Sequence, residues 1–417
     1  MNRKKVIVFG LGKIYKAFLE LYDSSKMDII ALSDNNRKLL ESLKSNNKTI
    51  VIPEKIVEVQ FDFIIVTSSY YEQITNQLKG YGIREDSILN FYNLYQKLDD
   101  TVRGSFELIN LLNLNISLKR NYKQELESIL TVEEKNLFLN AKNFINYIKD
   151  RRLDSLEEAE FQVFSQFGED GIIQWLIHNV AIEQKTFVEF GVENYTEANT
   201  RFLLMNNNWS GLVMDGSEDN MNQLSKWNYL WKYDLLATAA FITKDNINQL
   251  ITDAGYNGDI GLLSIDLDGN DYWILNAINC VSPRILICEY NSIYGQEEKV
   301  CVPYDKEFVR SKAHYSNLYW GASIAAFCDW AENNNYYYMG SNSAGNNAFF
   351  VRKDCISADK IPKNANIFVE SKYRESRDQN GKLTYKRGRE RLECIKEMQL
   401  IDIKTNCLKT IERIYNM

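Results

Sequence analysis

The sequence predicts an α/β protein built from two doubly wound sheets joined by a helical connector. Three observations carry this. Four short apolar runs, TFVEFG, GLVMDGS, LLSIDLDGND and ILICEYN, each close on an acid: Glu189, Asp215, Asp266 and Glu289. Helical stretches link these runs, and the carboxyl ends of parallel strands border the crevice where such sheets bind ligands. A separate run, Val6 to Phe9, leads into Gly10-Leu11-Gly12 and a helical pattern, so the chain opens with a second unit of the same Rossmann-like kind.

In order along the chain, Val6 to Phe9 reads as a buried strand, Ile14 to Tyr22 as a helix, Ile29 to Leu32 as a strand ending near Asp34, and Phe63 to Val66 as another strand. This gives a first domain over 1–97. Its glycine turn is incomplete, because Tyr15 stands at the third small position. Asp34 is placed to accept from a ribose hydroxyl if a nucleotide binds there, and the alternative is a docking or assembly domain without a ligand.

Residues 98–160 read as the helical connector. Thr131-Val-Glu-Glu134 has the form of a capping box, and Leu137, Phe138, Ala141, Phe144, Ile145 and Ile148 follow at helical spacing. That stripe suits core, interdomain packing or a surface for homo-oligomers. A second α/β domain spans 161–353, and residues 354–417 form a charged extension. Its basic side chains, Lys372 to Arg391, are interleaved with acids, as on a solvated face, and could alternatively hold a phosphate.

Composition narrows the function. The chain has 417 residues, is 45% apolar and carries a net charge of −7, so no overall basic field favours nucleic acid or an anionic membrane. No run approaches the length of a membrane span. Seven cysteines form no C-x-x-C pair, and their odd number precludes complete internal pairing, which points to a reduced cytoplasmic setting. Two histidines, His178 and His314, cannot build a multi-histidine zinc site. His178 lies in a helix-like segment and reads as structural. His314 lies in a polar one and is a candidate base.

In a nucleoside-binding sheet, a glycine after the first strand lets the backbone approach the ligand, and an acid closing the next strand accepts both ribose hydroxyls. Gly191 and Asp215 fill those places, and Gly216-Ser217 adds a flexible turn with a hydroxyl. Asp266 and Glu289 should end neighbouring strands and share one pocket. Like charges so close must share a proton or bind a cation. Either a carboxylate takes a proton from a sugar hydroxyl, or Asp266, Asp268, Glu289 and Asn291 offer oxygen ligands to a divalent ion such as Mg²⁺.

These residues, with Ser165-Gln-Phe-Gly-Glu-Asp-Gly171, Trp209 to Ser217, Leu263 to Asp271 and Asn347 to Arg352, resemble the class I S-adenosylmethionine-dependent methyltransferases, specifically the FkbM-like group associated with sugar and polysaccharide modification. The resemblance covers residues 161–353. It implies that Glu189 and Gly191 line the methionine end of the cofactor, with Phe190 beside them, and that Asp215, Gly216 and Ser217 hold its ribose end. It places Gln166 and Asp170 on a covering helix. One departure stands out: Glu193 and Tyr195 occupy the second and third glycine positions of the usual E-x-G-x-G-x-G turn.

The expected activity is O-methylation of a sugar or surface-polysaccharide precursor, with Asp266, Glu289 or His314 as the base. Tyr315, Tyr319, Trp320, Trp330 and Tyr336 to Tyr338 offer faces for sugar stacking or for packing, and amides of Ser341 to Asn347 could meet acceptor hydroxyls. The competing readings are an enzyme binding NAD or a nucleotide sugar through Gly10, Gly12 and Asp34, and a noncatalytic assembly protein.

Overall fold

The computed structural model describes residues 3–22, 24, 27–43, 49–92, 135–227 and 230–417. The chain divides into two compact units, Met1–Glu133 and Glu134–Met417. The capping box expected at Thr131 to Glu134 and most of the connector lie outside the described residues.

In the first unit, β1 (Lys4–Phe9), β2 (Met27–Ser33), β3 (Phe63–Val66) and β4 (Ile88–Asn90) form a parallel sheet in the order β2-β1-β3-β4. Successive residues of β1 are buried on opposite faces. Val6 and Val8 pack with Phe18 and Phe91, whereas Ile7 and Phe9 pack with Ile64 and Leu78. This is why the strand reads as one continuous apolar run.

The second unit is built on β5 (Thr186–Phe190), β6 (Ser210–Asp215), β7 (Leu235–Ala239), β8 (Gly258–Ile265), β9 (Val281–Glu289), β11 (Tyr336–Ser341) and β12 (Asn347–Arg352). They pair in the order β11-β12-β9-β8-β5-β6-β7. β12 runs antiparallel to both neighbours, and the pairings from β9 to β7 are parallel. The chain moves outward from β5 through β6 to β7, then returns to lay β8 and β9 on the other side. The gap above β5 and β8 is the switch point where the loops diverge.

Two apolar clusters cover the two faces of this sheet, one including Phe187, Val213, Leu262 and Phe349, the other Val188, Leu212, Leu263 and Phe350. The helix over 135–148 belongs to this unit. Its Phe138, Ala141 and Ile145 pack on Phe202, and Ile148 enters the main core, so the apolar stripe read from the sequence is packing within the unit.

The segment expected as a charged extension carries β13 (Gln399–Asp402) and β14 (Cys407–Thr410), which complete a three-stranded sheet with β10 (Val300–Cys301). Leu400, Ile395 and Ile411 bury against Val300, Val302 and Leu318. Among the described residues, no helix is long and apolar enough to cross a membrane.

Candidate functional site

The sheet brings the four strand-end acids to one place. Asp215, Asp266 and Glu289 line one cavity of about 690 Å³ with Gly191, and Glu189 lies behind its wall. A slot of about 100 Å³ adjoins it, sharing Gly191, Asp215 and Leu267 and walled by Met214, Phe241, Ile242 and Phe308. Gly191 has φ +70, and a Cβ there would fall 1.7 Å from the main-chain oxygen of Asp266. Only glycine lets the turn after β5 cross the turn after β8 this closely.

Most buried acids around the cavity collect main-chain N–H groups. Glu189 accepts from the N–H of Asn199 (2.9 Å) and of Thr200 (3.0 Å) and from the Thr200 hydroxyl. Asp170 accepts from the N–H groups of Val163, Phe164 and Ser165, all on Oδ2. Glu169 takes those of Phe167 and Gly168 on one oxygen and the side-chain amides of Asn342 and Asn347 on the other. Asp271 takes those of Leu267 and Gly269. Asp215 takes those of Glu193 (2.9 Å) and Ser217 (2.8 Å), with the Asn220 amide at 3.1 Å. Each acid thereby fixes the loop whose amides it collects.

Asp266 and Glu289 differ. Among the described residues, no main-chain N–H reaches either carboxyl group, and Glu289 Oε2 is buried without a partner. Glu289 is only 6% exposed. Burial first, and then the neighbouring carboxylates, push both groups well above the usual carboxylate range, with Arg310 opposing. The two carboxyls are within hydrogen-bonding reach of each other, an arrangement that disfavours ionisation of both at once. Oxygens of Asp266, Asp268 and Glu289 all lie within 4.8 Å of one another.

The remaining expected site residues take varied places. Gln166 lines the cavity from the turn before the helix Glu169–Asn179 rather than from the helix itself. Asp170 sits within the first turn of that helix, fully buried, and does not line the cavity. Phe190 is 1% exposed and belongs to the apolar core. Gly216 lines the slot, and Ser217 caps the helix Glu218–Leu224 by accepting from the Asn220 N–H. His314 is absent from the cavity lining. Its Nδ1 accepts from the Ser316 N–H, its ring lies 4.3 Å from that of Tyr315, and burial lowers its proton affinity. His178 is held by the Gln174 carbonyl, inside a helix.

Further lining residues include some with no site role read from the sequence, such as Tyr373, Glu375 and Arg310. Phe167 and Tyr373 stack with ring centres 5.9 Å apart and planes 7° from parallel. Arg310 bonds Asp268 at 2.9 Å, pairs with Glu375 and lies over the Trp320 ring. Asn347, opposite Glu289 in the β12–β9 register, also faces in. Of the aromatic residues that offered faces for sugar stacking or for packing, three are held by the protein itself: the hydroxyls of Tyr336 and Tyr319 donate to the carbonyls of Pro283 and Gln399, and Tyr338 bonds Ser341. The Ser341 to Asn347 turn is organised by Asn342, whose Oδ1 accepts from the N–H groups of Gly345, Asn346 and Asn347.

The missing glycines are explained by the backbone. Glu193 (φ 47) and Tyr195 (φ 63) adopt the left-handed conformation that glycine would take. Tyr195 is locked there by burial and by its hydroxyl against Thr200 Oγ1, whereas Glu193 is exposed. In the first unit Asp34 is already engaged, accepting from the N–H of Leu11 (2.7 Å) in the glycine turn and of Asn36 (2.8 Å).

Two outcomes follow from this geometry. Replacing the exposed Glu193 with glycine relieves a left-handed side-chain clash, so Glu193→Gly should raise stability by about 1 kcal/mol in urea denaturation; a loss of that size would show that the side chain supports the loop. The second concerns pH. Asp170 and Asp271 are pushed up to about 6 and Glu189 to about 7, in each case because burial outweighs the donors. The folded state then binds more protons than the unfolded chain between about pH 4 and 7. Stability from these groups is full at the acid end of that window and is lost as pH rises through 6 to 7. Urea midpoints should fall across this range, and Glu189→Gln should flatten the fall; an unchanged slope in the variant would remove Glu189 from the account.

Residues 2–89 match the family described as C2185-like, N-terminal. No curated protein matches the chain. Among solved structures the chain is similar to TrmK of M. capricolum in complex with S-adenosyl-homocysteine, at 11% identity and TM-score 0.25, over 42% of this chain and 66% of that one. It is similar to an S-adenosylmethionine-dependent methyltransferase from Clostridium acetobutylicum at 10% identity and TM-score 0.28, over 44% and 90% of the two chains. A third is Haemonchus contortus phosphoethanolamine N-methyltransferase 1 in complex with phosphoethanolamine and S-adenosylhomocysteine, at 13% identity and TM-score 0.21, over 70% and 76%.

Proposed function

We propose that the second unit is an S-adenosylmethionine-dependent O-methyltransferase acting on a sugar hydroxyl of a surface-polysaccharide precursor. The observation that carries this reading is the carboxyl pair of half-buried Asp266 and buried Glu289, without main-chain donors in a cavity at the switch point of the sheet. A seven-stranded sheet with one reversed strand inserted next to its last is the arrangement that the class I methyltransferase resemblance implies.

The residues present fit the cofactor. Asp215 faces the cavity beside an apolar slot between Met214, Phe241, Ile242 and Phe308, which suits a ribose next to a flat ring. The turn at Gly191 has no side chain to obstruct the methionine end. When bound, S-adenosylmethionine supplies an activated methyl group and a neutral sulfur leaving group.

What the chain contributes is alignment and a proton acceptor. The ionised member of the Asp266–Glu289 pair accepts the hydroxyl proton as the acceptor oxygen becomes methylated, and its raised proton affinity makes it a better base near neutrality than an ordinary carboxylate. Arg310 holds Asp268 and Glu375 in place beside it. A second reading is favoured by the clustered oxygens of Asp266, Asp268 and Glu289: a divalent ion such as Mg²⁺ bound there would orient the acceptor oxygen.

Calorimetry should detect S-adenosylhomocysteine binding, and Asp215→Ala should weaken it by about 1–3 kcal/mol, the range for losing a hydrogen-bonded charged acceptor; equal affinities would move the ribose elsewhere. Asp266→Asn should keep that affinity while turnover drops by roughly 10²–10⁴. His314→Asn serves as the control, since a large loss there with an active Asp266→Asn would transfer the base to the imidazole. Turnover that persists in EDTA would exclude the exchangeable metal and leave proton transfer standing.

A further inference from the structure

Carboxyl groups line the cavity throughout: Glu193, Glu197 and Asp215 as well as Asp266, Asp268, Glu289 and Glu375. Asp215 and the apolar slot lie on the side proposed for the cofactor. On the other side four carboxyl groups, Asp266, Asp268, Glu289 and Glu375, face inward with Arg310, the one basic residue of the lining. Arg310 is consumed by Asp268 and Glu375, which leaves the deeper pair without a cationic partner. Independently of this clustering, Glu289 is more than nine-tenths buried, lines the cavity and has one oxygen without a hydrogen-bond partner among the described residues. A buried oxygen of this kind is a ready acceptor for a donor brought by a ligand.

The wall beside these carboxyls is the stacked pair Phe167 and Tyr373. Aromatic faces next to carboxylates suit a cation or the hydrogen-bearing face of a sugar. A phosphate needs uncommitted Arg or Lys donors, and this half of the cavity supplies none.

Resting on the methyltransferase reading above, we propose that the acceptor enters as a cation: an amino sugar whose ammonium group donates to Glu289 and its neighbours while its ring lies against Tyr373. The acceptor half thus selects against phosphorylated and nucleotide-linked sugar ends, and an amine on the sugar is its recognition element.

The test is calorimetric titration of the full-length protein, saturated with S-adenosylhomocysteine in EDTA, with glucosamine, N-acetylglucosamine and glucosamine 6-phosphate. The work is done at about pH 6.5, below the range in which such amines lose their proton. Glucosamine is expected to bind at least tenfold more tightly than its N-acetyl form, with the phosphate the weakest. The preference should shrink in high salt and in Glu289→Gln. Equal binding of the N-acetyl form, tighter binding of the phosphate, or no saturation by glucosamine overturns the inference. Failure of S-adenosylhomocysteine to bind in the same experiment sinks the methyl-transfer reading instead, so the two failures are distinguishable.

Discussion

The site depends on a constraint imposed by buried carboxylates: each must find donors or hold a proton. Glu169, Asp170, Glu189, Asp215 and Asp271 find them in main-chain N–H groups, and in doing so they immobilise the loops that wall the cavity. Burying an ionised group without donors is costly, so these loops cannot drift without exposing a charge to an apolar surround. Asp266 and Glu289 stand apart because the scaffold supplies no such donors, and the chemistry they can perform follows from that lack. The same side-chain type ties a loop in one place and is left without main-chain donors in the next, with the local supply of N–H groups making the difference.

A related device occurs in both units. Asp34 directly follows β2 and Asp215 ends β6, and each accepts from an N–H of the turn after the preceding strand of its own sheet as well as from an N–H two residues ahead of itself. The acid therefore ties the glycine turn to the next strand before any ligand arrives. Around Asp215 this tie opens onto a cavity with an unsatisfied acid pair. Asp34 retains the loop-tying role, and a large cavity in that unit is lined by Arg37, Leu40, Ile50 and Val59 rather than by the glycine turn.

Much of the sheet was legible in the sequence because central parallel strands are buried on both faces and so appear as unbroken apolar runs. Strand β7 was not, since LLATA lies at the sheet edge, is only partly buried and carries no terminal acid. β13 and β14 were hidden for a similar reason: each presents one buried or half-buried face inside a charge-rich stretch. Asp266, Asp268 and Glu289 could be grouped from sequence because neighbouring strands end together. Asp170 and Glu189 could not be separated from them, since the amides they collect come from loop geometry. Tyr373, Glu375 and Arg310 gave no signal, because they are brought in by segments remote from the strand ends.

The seven-stranded sheet is complete at Arg352, yet the cavity is not. Tyr373 and Glu375 form part of its wall, Arg310 lacks one of its two carboxylate partners without them, and β10 has no strand to pair with until Asp402 is in place. During synthesis on the ribosome, the sheet's strands are made before this side of the cavity can be enclosed. The nascent protein thus passes through a stage with an assembled scaffold and an open, unguarded acidic pair, which the residues after Arg352 later enclose.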